Sequence, residues 1–115
     1  MIDRQAVYRK CGGHCAYCGR EIAYKDMQVD HMVPLANGGT DDFENLMPSC
    51  RLCNHYKRAE RLEYFRKAIS TIPQKLGERQ YIYKVGMAYG FYDNEPKEIK
   101  FYFEQFEGAE NGKTD

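Results

Sequence analysis

Four of the five cysteines stand as two Cys-x-x-Cys pairs, Cys15/Cys18 in CAYC and Cys50/Cys53 in CRLC. Thiolates spaced this way on a tight turn can face one ion, and two such pairs supply the four soft ligands that tetrahedral Zn²⁺ prefers. A four-cysteine site keeps no position open for water, so the ion it holds is expected to be structural. Any chemistry must then come from the segment between the pairs. That segment carries Asp30-His31, an Asn37-Gly38-Gly39 turn and Asn45, and the second pair runs on into Asn54 and His55. An imidazole with an ordinary pKa near 6.5 can take a proton from water at neutral pH. A carboxylate oxygen suits a hard ion such as Mg²⁺ or Mn²⁺. The fifth cysteine, Cys11, reads as a packed or free thiol, and His14 as a packing or exposed residue, because the tetrahedron is already complete.

These groups need a scaffold. Asp3 is placed to cap a short helix running to about Lys10, which the Gly12-Gly13 pair ends. Residues 21–24 suit a short strand or turn. Residues 27–31 alternate as a strand, which puts Met27, Val29 and His31 on one face and Gln28 and Asp30 on the other. Pro34 and the Asn-Gly-Gly turn mark a loop, with Asp41 or Asp42 starting a turn toward Asn45. From Lys57 the period becomes helical, with Leu62, Phe65, Ile69 and Ile72 forming a stripe up to Pro73. A second helix is expected from about Glu78 to Tyr92, with Ile82, Val85, Tyr89 and Tyr92 buried and Gly86 a weak point. Residues 98–106 fit either a strand or a helical face, and we read them as strand. The expected organisation is a core at 1–60, a helical extension packed on it at 61–107, and a frayed tail at 108–115.

At 115 residues and 43% hydrophobic content the chain supports one modest core that a structural metal would stabilise. No apolar run reaches membrane-spanning length, and the N-terminal MIDRQAVYRK lacks the apolar stretch of a signal peptide. The expectation is a cytoplasmic protein without a membrane partner, whose paired cysteines bind metal rather than form disulfides. Lys and Arg balance Asp and Glu at 17 each. The charge is nevertheless uneven, because Arg51, Lys57, Arg58, Arg61, Arg66 and Lys67 crowd the region after the second cysteine pair. Phosphate binding depends on such local contacts rather than on net charge.

The ordered series C-x-x-C, D-H-x-x-P-L, G-G, N-L and C-x-x-C-N-x-x-K, spanning about residues 11–58, resembles the HNH endonuclease family in its zinc-stapled branch. The resemblance implies an α+β chain built on the ββα-metal core with a Cys₄ zinc site, followed by further C-terminal helices and a short strand. It implies metal-dependent cleavage of DNA phosphodiester bonds, leaving a 5′-phosphate and a 3′-hydroxyl. Carried over by position, His31 is the general base, and Asn45 orients the catalytic loop and helps hold that base. Asp30 and Asn54 hold the catalytic Mg²⁺ or Mn²⁺, with His55 as the alternative to Asn54. Many members carry His where Asn54 stands, so this is an H-N-N variant, and its amide oxygen favours a hard ion over Zn²⁺. Cys15, Cys18, Cys50 and Cys53 hold the structural Zn²⁺. Lys57 matches a basic residue expected to touch phosphate, and Arg51, Arg58 and Arg61 extend that contact along double-stranded DNA. The context implied is a bacterial or phage-encoded nuclease, with the C-terminal half available for a homodimer or a larger protein partner. The reading from a different class is a non-catalytic zinc-stapled module that binds nucleic acid or protein.

Overall fold

A computed structural model describes residues 2–106. The chain divides into two units, Met1–Leu62 with Lys100–Asp115, and Glu63–Ile99.

The first unit begins with α1 (Arg4–Arg9), whose entry is fixed by the Asp3 carboxylate accepting from Ala6 N–H. Two strands follow, β1 (Gln28–His31) and β2 (Leu46–Ser49), paired antiparallel with Gln28 opposite Ser49 and His31 opposite Leu46. Helix α2 (Arg51–Lys57) leaves directly from β2. Val7 of α1, Met27 and Leu46 form the centre of the core, with Ile2, Tyr8, Ile22 and Val29 around them. A short ribbon of this kind is marginal alone. Here β2 is buried along its whole length, and its Pro48 carbonyl accepts from Ala16 N–H of the first cysteine pair at 2.8 Å.

The alternation expected in β1 holds only in part. Gln28 is exposed, but Asp30 on the same side of the strand is buried, because Tyr17 and Lys57 partner its carboxylate. Residues 98–106 form no strand; a helical turn occupies 102–106. The alternation there has another cause. Phe101 and Phe103 are buried, both set edge-on to the Tyr17 ring, while Tyr102 and Phe103 N–H donate to the carbonyls of Tyr17 and Ala16. A single crossing anchored by two aromatics thus mimics a strand's period, and it places this segment with the first unit. Gly19, at φ 83°, takes a conformation few side chains adopt, and an added Cβ there would lie 2.9 Å from the Tyr102 ring.

The second unit contains α3 (Leu62–Ser70, whose first residue lies in the first unit), α4 (Ile72–Arg79) and α5 (Tyr81–Ala88). Pro73 does not stop a helix; it sits in the first turn of α4, where its missing N–H costs no bond. The single helix expected over 78–92 is broken at Gln80, between α4 and α5. The face expected to be buried is not: Ile82 and Tyr89 are 79% and 75% exposed, and Val85 and Tyr92 are also open. Gly86 is the buried residue of α5, because the Tyr92 ring lies where a Cβ would stand. Among the described residues, no helix is long and apolar enough to cross a membrane. The expected tail at 108–115 lies outside the described residues.

Candidate metal centre and active site

The two cysteine pairs meet. The sulfurs of Cys15, Cys18, Cys50 and Cys53 all lie within 4.8 Å of one another, and Cys18 Sγ and Cys50 Sγ are 3.8 Å apart. Four sulfurs about 2.3 Å from a central ion would stand about 3.8 Å apart, so the cluster could hold zinc with little adjustment. The local backbone prepares it. Cys50 is the N-cap of α2, its sulfur accepting from Cys53 N–H at 3.4 Å, and Cys15 Sγ accepts from Tyr17 N–H at 3.4 Å. Arg20 donates to Cys50 Sγ at 3.2 Å and brings a positive charge to the thiolates. Within the cluster the thiols are pushed apart: a hydrogen bond from Cys53 pulls Cys15 down to about 4 against the cost of its burial, while that same bond pushes Cys53 up and burial pushes Cys18 up. Cys11 stands apart, and burial pushes its thiol up to about 11, as suits a neutral packed side chain.

Beside this cluster, the end of β1, the start of the following loop and the inner side of α2 enclose a cleft of about 350 Å³. Asp30, His31, Asn54 and Arg58 share its lining with apolar residues including Val29 and Leu35. Strand geometry should send Asp30 and His31 to opposite sides. They nevertheless border one cleft, with His31 at the last position of β1 and Asn54 of α2 sharing the lining. Asp30 is 6% exposed, and its Oδ2 accepts from Tyr17 Oη at 2.6 Å and from the Lys57 ammonium at 3.1 Å. Burial pushes the Asp30 carboxyl up, while the Tyr17 hydroxyl and the Lys57 charge pull it down. Asp30 and Asn54, which both line the cleft, offer a carboxylate and an amide oxygen, a donor set that fits a divalent oxygen-seeking ion. His55 is exposed and, among the described residues, is not part of that lining.

Lys57 is where the structure departs most from expectation. It was expected on a phosphate-binding surface, but its side chain is fully buried, with the ammonium 3.1 Å from Asp30 Oδ2 and donating to the His31 carbonyl at 3.0 Å. It braces the strand end that carries Asp30 and His31. The last turn of α2 aims it inward, since α2 packs that face on β1. Arg51, Arg58 and Arg61 are exposed. Arg61 ties down the Asn37 carbonyl at 3.1 Å, and Arg58 is the only non-glycine residue with positive φ among those described, at 56°. A backbone held in so sparse a region costs of the order of 1–3 kcal/mol and frequently marks a functional position.

Asn45 closes the loop between the strands. Its Oδ1 accepts from Val33 N–H at 2.9 Å, and its Nδ2 donates to the carbonyls of Val33 and Thr40 at 3.0 and 2.8 Å. One side chain thus holds both ends of the segment 33–40. Two partners of the site were not singled out from sequence. Tyr17 lies between two cysteines, and no spacing rule says that its hydroxyl reaches Asp30. Asp41 appeared only as a turn residue, although its Oδ1 lies 2.7 Å from His31 Nε2.

The geometry agrees with what the chain is similar to. The family model "HNH endonuclease" matches residues 15–60. The CRISPR-associated endonuclease Cas9 of Corynebacterium diphtheriae is 46% identical over 54 residues, 46% of this chain and 5% of that protein. Its counterpart from Actinomyces naeslundii is 43% identical over 47 residues, 40% of this chain and 4% of that protein. The crystal structure of the Type II-C Cas9 enzyme from Actinomyces naeslundii superposes with a TM-score of 0.53 and 31% identity, over 57% of this chain and 8% of that one. The chain therefore spans only a small fraction of the length of these relatives. A paired ribbon running into a helix, a four-cysteine cluster that could hold zinc, and the ordered match across them together identify residues 15–60 as an HNH endonuclease domain.

Proposed function

We propose that this protein is a metal-dependent DNA endonuclease in which His31 is the general base, Asp30 and Asn54 hold a catalytic Mg²⁺ or Mn²⁺, and the four cysteines hold a structural Zn²⁺. The single observation that carries this reading is the cleft that brings an imidazole, a buried carboxylate, an amide and an arginine together. When bound, the catalytic ion supplies positive charge to a non-bridging phosphate oxygen and to the leaving oxygen. The rest is the work of the chain's own side chains. His31 takes a proton from a water molecule, the oxygen of that water attacks phosphorus in line, and the P–O3′ bond breaks as the leaving oxygen takes a proton from solvent. General-base help of this kind is worth about 10²–10⁴-fold. Arg58, exposed and among the residues lining the cleft, would meet the phosphate, and Arg51, exposed at the start of α2, would follow the backbone, which adds affinity but no sequence information. Burial pushes the Asp30 carboxyl up, and the Tyr17 hydroxyl and the Lys57 ammonium oppose that rise.

The test is nicking and linearisation of supercoiled plasmid by the zinc-loaded full chain in Mg²⁺ or Mn²⁺, with a chelator control and His31→Ala. Cleavage that needs the divalent ion and falls at least about 100-fold in the variant is expected. Retained DNA binding without cleavage by the unaltered chain would instead favour the non-catalytic module.

A further inference from the structure

The carboxylate facing His31 comes from the loop, ten residues further along the chain: Asp41 Oδ1 lies 2.7 Å from Nε2. Its position is set by more than chance packing of an exposed side chain. The carbonyl of Thr40, the preceding residue, is held by Asn45 Nδ2. The following residue, Asp42, is tied through its N–H and its carboxylate to the Thr40 hydroxyl. The loop turns back on itself at Gly39, whose N–H donates to the Pro34 carbonyl at 2.9 Å and whose missing Cβ lets the Val33 carbonyl approach. The backbone on both sides of Asp41 is therefore anchored, and the carboxylate is presented to one ring nitrogen.

We infer that Asp41 is a positioning residue for His31, an inference that rests on the nuclease reading above. A carboxylate can only accept, so a hydrogen bond to Nε2 requires the proton on Nε2 and leaves the lone pair on Nδ1. Asp41 thereby selects the tautomer, fixes the rotation of the ring, and faces the positive charge that forms when Nδ1 takes a proton from water. In that step one water O–H bond breaks and an Nδ1–H bond forms. The imidazolium then carries a proton on each nitrogen, none passes to Asp41, and the Nδ1 proton later leaves to solvent. Asn45 acquires a second task in this arrangement, since the segment it clamps ends at Thr40, directly before Asp41. The chemistry resembles that of other carboxylate–imidazole pairs, but Asp41 is 61% exposed, so water screens its charge. The effect of losing it should fall short of the ~10⁴-fold seen for a buried triad carboxylate.

The experiment uses the zinc-loaded full chain and compares it with Asp41→Asn and Asp41→Glu. Asn preserves size and the turn but not the charge or the acceptor-only character, while Glu restores the carboxylate. The expected result is a fall in kcat of about 10- to 100-fold for Asn with KM changed less than about threefold, and partial recovery for Glu, at unchanged thermal midpoints. In parallel, ¹⁵N shifts of the His31 ring, assigned among three histidines by the His31→Ala variant, should report an Nε2–H tautomer that becomes mixed in Asp41→Asn. Equal kcat and equal ring shifts in the unaltered chain and Asp41→Asn would overturn the assignment. If the unaltered chain fails to cleave, the nuclease reading falls, and the ring shifts alone then decide whether Asp41 sets the tautomer.

Discussion

Replacing Lys57 by methionine removes the ammonium and keeps most of the aliphatic stem. The structure gives Lys57 no solvent exposure and two acceptors, Asp30 Oδ2 at 3.1 Å and the His31 carbonyl at 3.0 Å. With the ammonium gone, the Asp30 carboxylate keeps, among the described residues, the Tyr17 hydroxyl against a burial that already raises its pKa. Breaking a buried pair from one side in this way costs about 3–5 kcal/mol, most of it from the charge left behind. At a urea slope of about 1.5 kcal/mol/M, a loss of 3 kcal/mol lowers the unfolding midpoint by about 2 M. The measurement is urea unfolding of the zinc-loaded chain for Lys57→Met, Asp30→Asn and the double variant. Because the double variant removes both charges, it should regain much of the loss, a coupling of at least about 1 kcal/mol. A phosphate-binding lysine on the surface would behave differently: stability within about 0.5 kcal/mol of the unaltered chain, and a salt dependence of DNA binding shallower by about one ion. That second pattern would refute the reasoning about Lys57.

Other expectations follow from the same contacts. Cys50→Ser removes a sulfur that caps α2 and belongs to the four-cysteine cluster that could hold zinc, so stoichiometric zinc binding should be lost and the first unit should become protease-sensitive, as limited proteolysis with mass spectrometry would show. Strong chelators should produce the same cleavage pattern in the unaltered chain. Asn45→Ala deletes the three hydrogen bonds that hold Val33 and Thr40, which should cost about 1–3 kcal/mol in thermal unfolding and lower kcat more than it raises KM. A cleavage rate unchanged by Asn45→Ala would break the link between the loop and the base.

The sequence alone determined the parts of this protein that depend on residue type at short spacing. Two Cys-x-x-Cys pairs supply the four soft ligands that a shared ion would take, Asp3 caps the helix that follows it, and the order of Asp30-His31, Asn45 and Asn54 between and after the pairs matches one family. These features are local or ordered along the chain, so they survive without coordinates. The tertiary structure decided the matters that turn on which way a side chain points once distant segments meet. Lys57 reads as one more basic residue in a basic run, yet the packing of α2 on β1 buries it against Asp30. Phe101 and Phe103 have a strand's alternation but serve as anchors on Tyr17. Ile82 and Tyr89 have the spacing of a buried helix face and are open to solvent, because period records only that apolar residues are aligned and not that anything covers them. Asp41 is one of two adjacent aspartates in a turn, and only the folded loop, held by Asn45, brings one of them to the imidazole. Spacing fixes what chemistry a chain can attempt; long-range contacts fix which of its charges are buried, paired or free to act, because desolvation and hydrogen bonding depend on neighbours far away in sequence.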